Sequence, residues 1–128
     1  MALIFVVDDH EDSCRVMGKV LGYLGHQATC FESGEAMLAG LEVDLPDAII
    51  LDLMMPEMDG LEVLSIVKSA SRTADVKVII HSATADPRVV RTAKARGAAA
   101  IWHKGALELG QVEQELGDLL GAAAGSGH

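Results

Sequence analysis

Short apolar runs recur along this chain, and most of them do not alternate with polar residues. Leu3–Val7, Ala48–Leu51 and Ala98–Trp102 are unbroken runs of strand length, and Val76–Ile80 is interrupted only by Lys77. Strands apolar at every position are covered on both faces, which is the habit of parallel sheets. The segments between them carry the other period. Cys14, Met17, Leu21 and Leu24 recur at helical spacing, and Gly25 closes that helix. Ser33 is an N-cap for a helix through Met37, Leu38 and Leu41. Gly60 opens a helix with Leu61, Leu64 and Val67 on one face. Asp86-Pro87 pairs an N-cap with a proline at the first helical position, and that helix ends near Gly97. Leu109, Val112, Leu116 and Leu119 mark a last helix, despite Gly110 and Gly117 inside it. His26–Phe31 is a shorter, partly polar strand suited to an edge.

Strand and helix thus alternate five times. Strands joined by helices form a parallel sheet through right-handed crossovers. The expected fold class is α/β: a flavodoxin-like (βα)5 three-layer sandwich with parallel strand order 2-1-3-4-5. Ligands in such sheets bind at the carboxyl ends of the strands, near the point where the strand order reverses.

The length of 128 residues suits one domain, expected over residues 1–120, with 121–128 a flexible tail or expression remnant. Half the residues are hydrophobic and only 3% are aromatic, so the core is expected to be aliphatic. The net charge of −9 argues against direct binding to nucleic acid or an anionic membrane. Cys14 and Cys30 have no metal-binding spacing and are read as small buried thiols. No signal segment or apolar run of membrane length is present, so a cytoplasmic location is expected.

The polar residues that matter stand where the apolar runs stop. Asp8 and Asp9 follow the first run, and Asp52 follows the third. Ser82 follows the fourth after His81, and Lys104 follows the fifth after His103. Two carboxylates about 5 Å apart repel by roughly 3 kcal/mol at an effective dielectric near 20, so the bare cluster is unfavourable. A hard divalent cation relieves this. Mg²⁺ takes one or two carboxylates, keeps several waters and accepts phosphate oxygens. Three aspartates, one lysine and one Mg²⁺ sum to zero formal charge. Asp52 is then the candidate nucleophile, because a carboxylate can attack phosphorus to give an acyl phosphate. The cation and Lys104 would stabilise the phosphoryl oxygens in the transition state, and Ser82 would donate a hydrogen bond to one of them. An ionised carboxylate needs no general base.

Read in order, Val6-Val7-Asp8-Asp9, Leu51-Asp52-Leu53-Met54-Met55-Pro56-Glu57-Met58-Asp59-Gly60, His81-Ser82-Ala83-Thr84-Ala85-Asp86 and a late lysine resemble the receiver domain of two-component response regulators. The resemblance covers nearly all of residues 3–120. It implies Asp52 as phosphoacceptor, Asp9 as a direct ligand of Mg²⁺, and Asp8 acting through a metal-bound water. It implies the Met54 backbone carbonyl as a further metal ligand, Ser82 as the hydroxyl switch and Lys104 as the phosphate-pairing lysine. The implied donor is a phosphohistidine on a sensor histidine kinase or histidine phosphotransfer protein, or a small donor such as acetyl phosphate. Slow loss of the phosphoryl group by hydrolysis is implied too, so any enzymatic activity is weak and serves signalling. Met54 and Thr84 would gate access of water and partners. Output would run to a downstream protein target through helix 4, strand 5 and helix 5, a surface that could also form a homodimer. Arg88, Arg91, Lys94 and Arg96 give helix 4 a basic character suited to an acidic partner or a second copy.

Three features depart from the pattern of that family. Gly105 stands where proline usually follows the lysine, so the loop is expected to differ in shape. Ile101 stands where an aromatic switch residue is common, and Trp102, one residue later, faces the other side of the strand. Residues 121–128 are too short for an output domain, so either a stand-alone regulator or a receiver excised from a longer protein is expected. His81 and His103 are read as strand-end neighbours of the site and His10 as a loop residue. Asp59-Gly60 is read as a turn and helix start. The alternative function is a phosphorylation-independent interaction module, a pseudo-receiver. A small aspartate-nucleophile phosphatase is disfavoured, because Asp52 is followed by Leu53 and Met54 and so does not begin an Asp-x-Asp motif. A flavodoxin proper is disfavoured by its acidic first loop, where a phosphate cradle needs small residues and free N–H groups.

Overall fold

The computed structural model describes residues 2–55, 58–83 and 86–125. Five strands and five helices alternate: β1 (Leu3–Val7), α1 (Glu11–Tyr23), β2 (Gln27–Phe31), α2 (Gly34–Gly40), β3 (Ala48–Leu51), α3 (Gly60–Ser69), β4 (Lys77–Ser82), α4 (Pro87–Ala95), β5 (Ala100–His103) and α5 (Leu109–Gly125). The sheet is parallel throughout, in the order β2-β1-β3-β4-β5. The expected topology is therefore present. Several boundaries shift by one or two residues. β4 runs on to Ser82, so His81 and Ser82 lie within the strand. β5 begins at Ala100 rather than Ala98. The backbone of the last helix runs to Gly125.

The doubly covered sheet divides its side chains by parity. Phe5, Val7, Ile49, Leu51, Val78 and Ile80 pack with Met37, Val63, Leu64, Val67 and Ala93, under α2, α3 and α4. Ile4, Val6, Ala48, Ile50, Ile79 and Trp102 pack with Cys14, Met17, Leu21, Val112 and Leu116, under α1 and α5. Ile101 joins the first cluster and Trp102 the second, the opposed orientation expected of them. Trp102 is fully buried, and its indole Nε1 donates to Glu115 Oε1 at 2.8 Å, tying β5 to α5. A buried indole N–H needs such a partner.

Capping follows the local sequence. Ser33 accepts the Ala36 N–H at 3.1 Å, Asp59 the Leu61 N–H at 3.0 Å and Asp86 the Arg88 N–H at 2.9 Å. Gly60 has a second role. A Cβ there would stand 2.5 Å from Leu53 Cα and 2.8 Å from the Asp52 carbonyl oxygen, so only glycine lets α3 start against the end of β3. One cysteine reading is corrected. Cys14 is buried, but Cys30 is exposed, because β2 is an edge strand and α1 covers it only in part. Both thiols are free, and Cys30 Sγ donates to the Cys14 carbonyl at 3.2 Å. Among the described residues no helix is long and apolar enough to cross a membrane.

Candidate functional site

The strand register explains why the polar residues meet. Val7 is paired with Leu51, so Asp8 and Asp52 lie side by side one step beyond. The parity that sends Val6, Ile50 and Trp102 to the α1–α5 side also governs Asp8, Asp52 and Lys104. Leu51 pairs with Ile80 and Ser82 with His103, which brings the ends of β4 and β5 to the same edge. The backbone stitches that edge together: Asp52 N–H donates to Val7 O at 3.0 Å, Asp8 N–H to Phe31 O at 3.1 Å, and Lys104 N–H to Ser82 O at 2.9 Å.

Asp8, Asp52 and Ser82 are buried, at 3%, 2% and 1% exposure. Lys104 Nζ lies 2.7 Å from Asp8 Oδ2 and 3.1 Å from Asp52 Oδ2, donating to both. Asp52 Oδ1 accepts the Met54 N–H at 3.0 Å, which folds the loop after β3 back over the carboxylate. Asp8 Oδ1 accepts the His10 N–H at 2.9 Å. Burial alone would raise the Asp8 pKa, but the hydrogen bond from Lys104, the His10 N–H and the Lys104 charge outweigh it and hold it below the ordinary carboxylate range. Burial likewise opposes the charge on Lys104, yet its hydrogen bonds to Asp8 and Asp52 raise its pKa. Burial, then the charge of Lys104, pushes the His81 imidazole down, against the pull of Asp8 and Asp52. His81 lines a mainly apolar cavity of about 390 Å³ with Lys104, Met17, Val20, Leu107 and Val112. It is a wall residue of that cavity rather than part of the acidic cluster.

The residues suit a cation. Ligand atoms of Asp8, Asp9, His10 and Asp52 all lie within 4.8 Å of one another. Asp9 Oδ1 is buried and accepts no hydrogen bond, a costly state for a carboxylate oxygen unless a cation or water completes it. With one lysine against three aspartates, the cluster carries two uncompensated negative charges, which a divalent ion would balance. Met54 is exposed and lines an open depression with Asp9, Leu53, Met55 and Asp59. The Thr84 reading falls outside the described residues. His10 is the residue that sequence reasoning passed over. It stands at the N-cap of α1, with its ring turned onto the acid pair: Nδ1 is 3.3 Å from Asp8 Oδ1 and 3.2 Å from Asp9 Oδ1. Its place directly after the pair was the available signal.

The loop after Lys104 differs as expected. Gly105 adopts φ +84°, a left-handed conformation closed to proline, whose ring holds φ near about −65°.

Residues 4–111 match the family described as the response regulator receiver domain. Among curated relatives, the sensory/regulatory protein RpfC of Xanthomonas campestris pv. campestris is 33% identical over 103 residues, covering 79% of this chain and 14% of RpfC. The DNA-binding transcriptional regulator NtrC of Salmonella typhimurium is 35% identical over 96 residues, covering 75% of this chain and 20% of NtrC. The chain thus spans a small part of either protein. Among solved structures, chemotaxis protein CheY4 of Vibrio cholerae has the same fold, with a TM-score of 0.86 at 24% identity over 94% of this chain and 99% of that one. By these matches the chain belongs to the response regulator receiver domain family, in which an aspartate accepts a phosphoryl group.

Proposed function

We propose that Asp52 is the phosphoacceptor of this receiver domain. The supporting observation is the buried Asp52 carboxylate held by the Lys104 ammonium at 3.1 Å, at a strand end it shares with Asp8. The donor is a phosphohistidine of a sensor histidine kinase or histidine phosphotransfer protein, or a small acyl phosphate. An Asp52 carboxylate oxygen forms the new bond to phosphorus. With phosphohistidine the P–N bond breaks and its electron pair returns to the imidazole; with an acyl phosphate the P–O bond breaks and a carboxylate leaves. Lys104, already within reach of both aspartates, turns part of its hydrogen bonding to the incoming phosphoryl oxygens. Ser82, buried at the end of β4, supplies a hydroxyl to the same group.

Asp9, Asp52 and the Met54 carbonyl would hold Mg²⁺, with Asp8 acting through a bound water. When bound, that ion neutralises charge on the phosphoryl oxygens. Because Lys104 must divide its bonds among Asp8, Asp52 and the phosphoryl group, phosphorylation of Asp52 alters the contacts of β5. That change biases an equilibrium between two arrangements of the α4–β5–α5 surface. The surface is offered to a downstream protein or a second copy, and Arg88, Arg91 and Lys94 are exposed on it.

The test is intact-mass measurement after incubation with acetyl phosphate and Mg²⁺. The wild-type chain should gain one phosphoryl group and Asp52→Asn should gain none. A wild-type chain that stays unmodified, with both small and phosphohistidine donors, would instead favour the phosphorylation-independent interaction module.

A further inference from the structure

We infer that His10 is an additional ligand of the cation in this site, giving it an imidazole nitrogen beside its carboxylates. The inference rests on reading Asp8, Asp9 and Asp52 as the cation cluster, and it goes beyond that reading in ligand set and metal preference.

His10 occupies the N-cap of α1 but makes no side-chain capping bond, so its ring is not committed to the helix. Ser, Thr, Asp and Asn fill that position well and histidine does not. The ring folds back instead, over the pair that precedes it. Its Nδ1 shares a hydrogen bond with Asp8 Oδ1 at 3.3 Å and stands 3.2 Å from Asp9 Oδ1. Asp9 Oδ1 accepts no hydrogen bond, so that nitrogen and oxygen approach closely without one between them. Adjacent ligands on a tetrahedral Zn²⁺ with bonds of about 2.0–2.1 Å stand about 3.3 Å apart. On an octahedral ion with bonds of about 2.1 Å they stand about 3.0 Å apart. The 3.2 Å separation from Asp9 Oδ1 is close to a ligand edge of such ions, and Asp52 offers an oxygen within the same 4.8 Å cluster. The imidazole is 68% exposed, so turning it onto an ion exchanges its one hydrogen bond, to Asp8, without breaking packing.

A ligand set of carboxylates and carbonyls suits Mg²⁺, whereas imidazole favours Ni²⁺, Zn²⁺ and their neighbours. The site should therefore hold Ni²⁺ more tightly than a carboxylate set would, with little cost to Mg²⁺ binding.

Pulsed electron paramagnetic resonance on Mn²⁺ bound to the full chain reads the ligand directly. The expected result is nitrogen modulation from a coordinated imidazole in the wild type, lost in His10→Gln and kept in His81→Gln. Titrations should show Ni²⁺ binding weakened about tenfold or more in His10→Gln, with Mg²⁺ affinity within about twofold, in line with the usual effect of losing a metal-site partner. Bound Mn²⁺ without nitrogen modulation, or modulation that survives His10→Gln, overturns the role of His10 while leaving the cation cluster standing. Failure of the wild type to bind Mn²⁺ at all, with Asp9→Asn no different, refutes the cluster itself and this ligand with it.

Discussion

Lys104 Nζ stands 2.7 Å from Asp8 Oδ2, closer than the 3.1 Å that separates it from Asp52 Oδ2. Before any phosphoryl group arrives, the lysine is thus the counter-ion of two buried carboxylates from β1 and β3. Removing it leaves both without their cation. Lys104→Ala should destabilise the metal-free protein by roughly 1.5–3 kcal/mol, the usual worth of a hydrogen bond to a charged group. Saturating Mg²⁺ should recover much of that loss, because the ion takes over the neutralising role. Urea unfolding with and without Mg²⁺ measures both. Equal losses in the two conditions would mean that lysine and cation do not serve the same carboxylates.

The same pair predicts a pH dependence. Asp8 is held below the ordinary carboxylate range, against its burial, by Lys104 and the His10 N–H. A folded pKa below the unfolded value means the unfolded chain binds the proton more readily. The resulting stabilisation is full above the unfolded-state value of about 3.9 and is lost as pH falls through the folded one. Lys104 behaves oppositely: its raised pKa gives stabilisation that is full below about 10.4 and lost at more alkaline pH. Urea midpoints of the metal-free protein should therefore fall on the acid side below about pH 4. Asp8→Asn should make that acid limb shallower. An unchanged limb in the variant would show that Asp8 is not responsible.

Gly105 has φ +84°, and a side chain there would meet nothing within 4 Å. Only the backbone conformation opposes substitution. Gly105→Ala should cost about 1–2 kcal/mol, the penalty for an ordinary residue in the left-handed region. Gly105→Pro should cost more, since its ring excludes that φ altogether. Chemical denaturation of the two variants gives the order. A proline variant as stable as wild type would show that the loop readily takes the path usual in the family.

At Gly60 the opposition is steric. The carbonyl of Asp52 and the Cα of Leu53 lie where a Cβ would go, and neither is a flexible side-chain end. Gly60→Ala should destabilise by roughly 1–3 kcal/mol, as overpacking does. It should also slow phosphoryl uptake, because the displaced atoms belong to the acceptor and its neighbour. Initial rates of acylphosphate formation, taken at a temperature where the variant stays folded, test this.

Most of the architecture was legible because its causes are local. Leu3–Val7 and Ala48–Leu51 are apolar throughout, and runs of that kind lie in the middle of a covered sheet. Ser33, Asp59 and Asp86 announced helix starts through side-chain chemistry that acts within three residues. The convergence of Asp8, Asp52 and Lys104 followed from strand order alone. What could not be read depends on distance in space. Cys30 resembled Cys14 as a small thiol, but the edge position of β2 leaves it exposed. The bond from Trp102 to Glu115 needs the actual packing of α5 on β5. The crowding at Gly60 needs the closeness of α3 to the end of β3. His10 was read from its place in a loop, and only the turn of its ring back onto the acid pair brought it into the site.

A crystal structure with beryllofluoride and Mg²⁺ puts the phosphoacceptor reading to the most direct test. Beryllium should be bonded to an Asp52 carboxylate oxygen, Lys104 Nζ should contact a fluoride, and Mg²⁺ should lie against Asp9. Beryllofluoride bound elsewhere or not at all, with Lys104 turned away from Asp52, would contradict it.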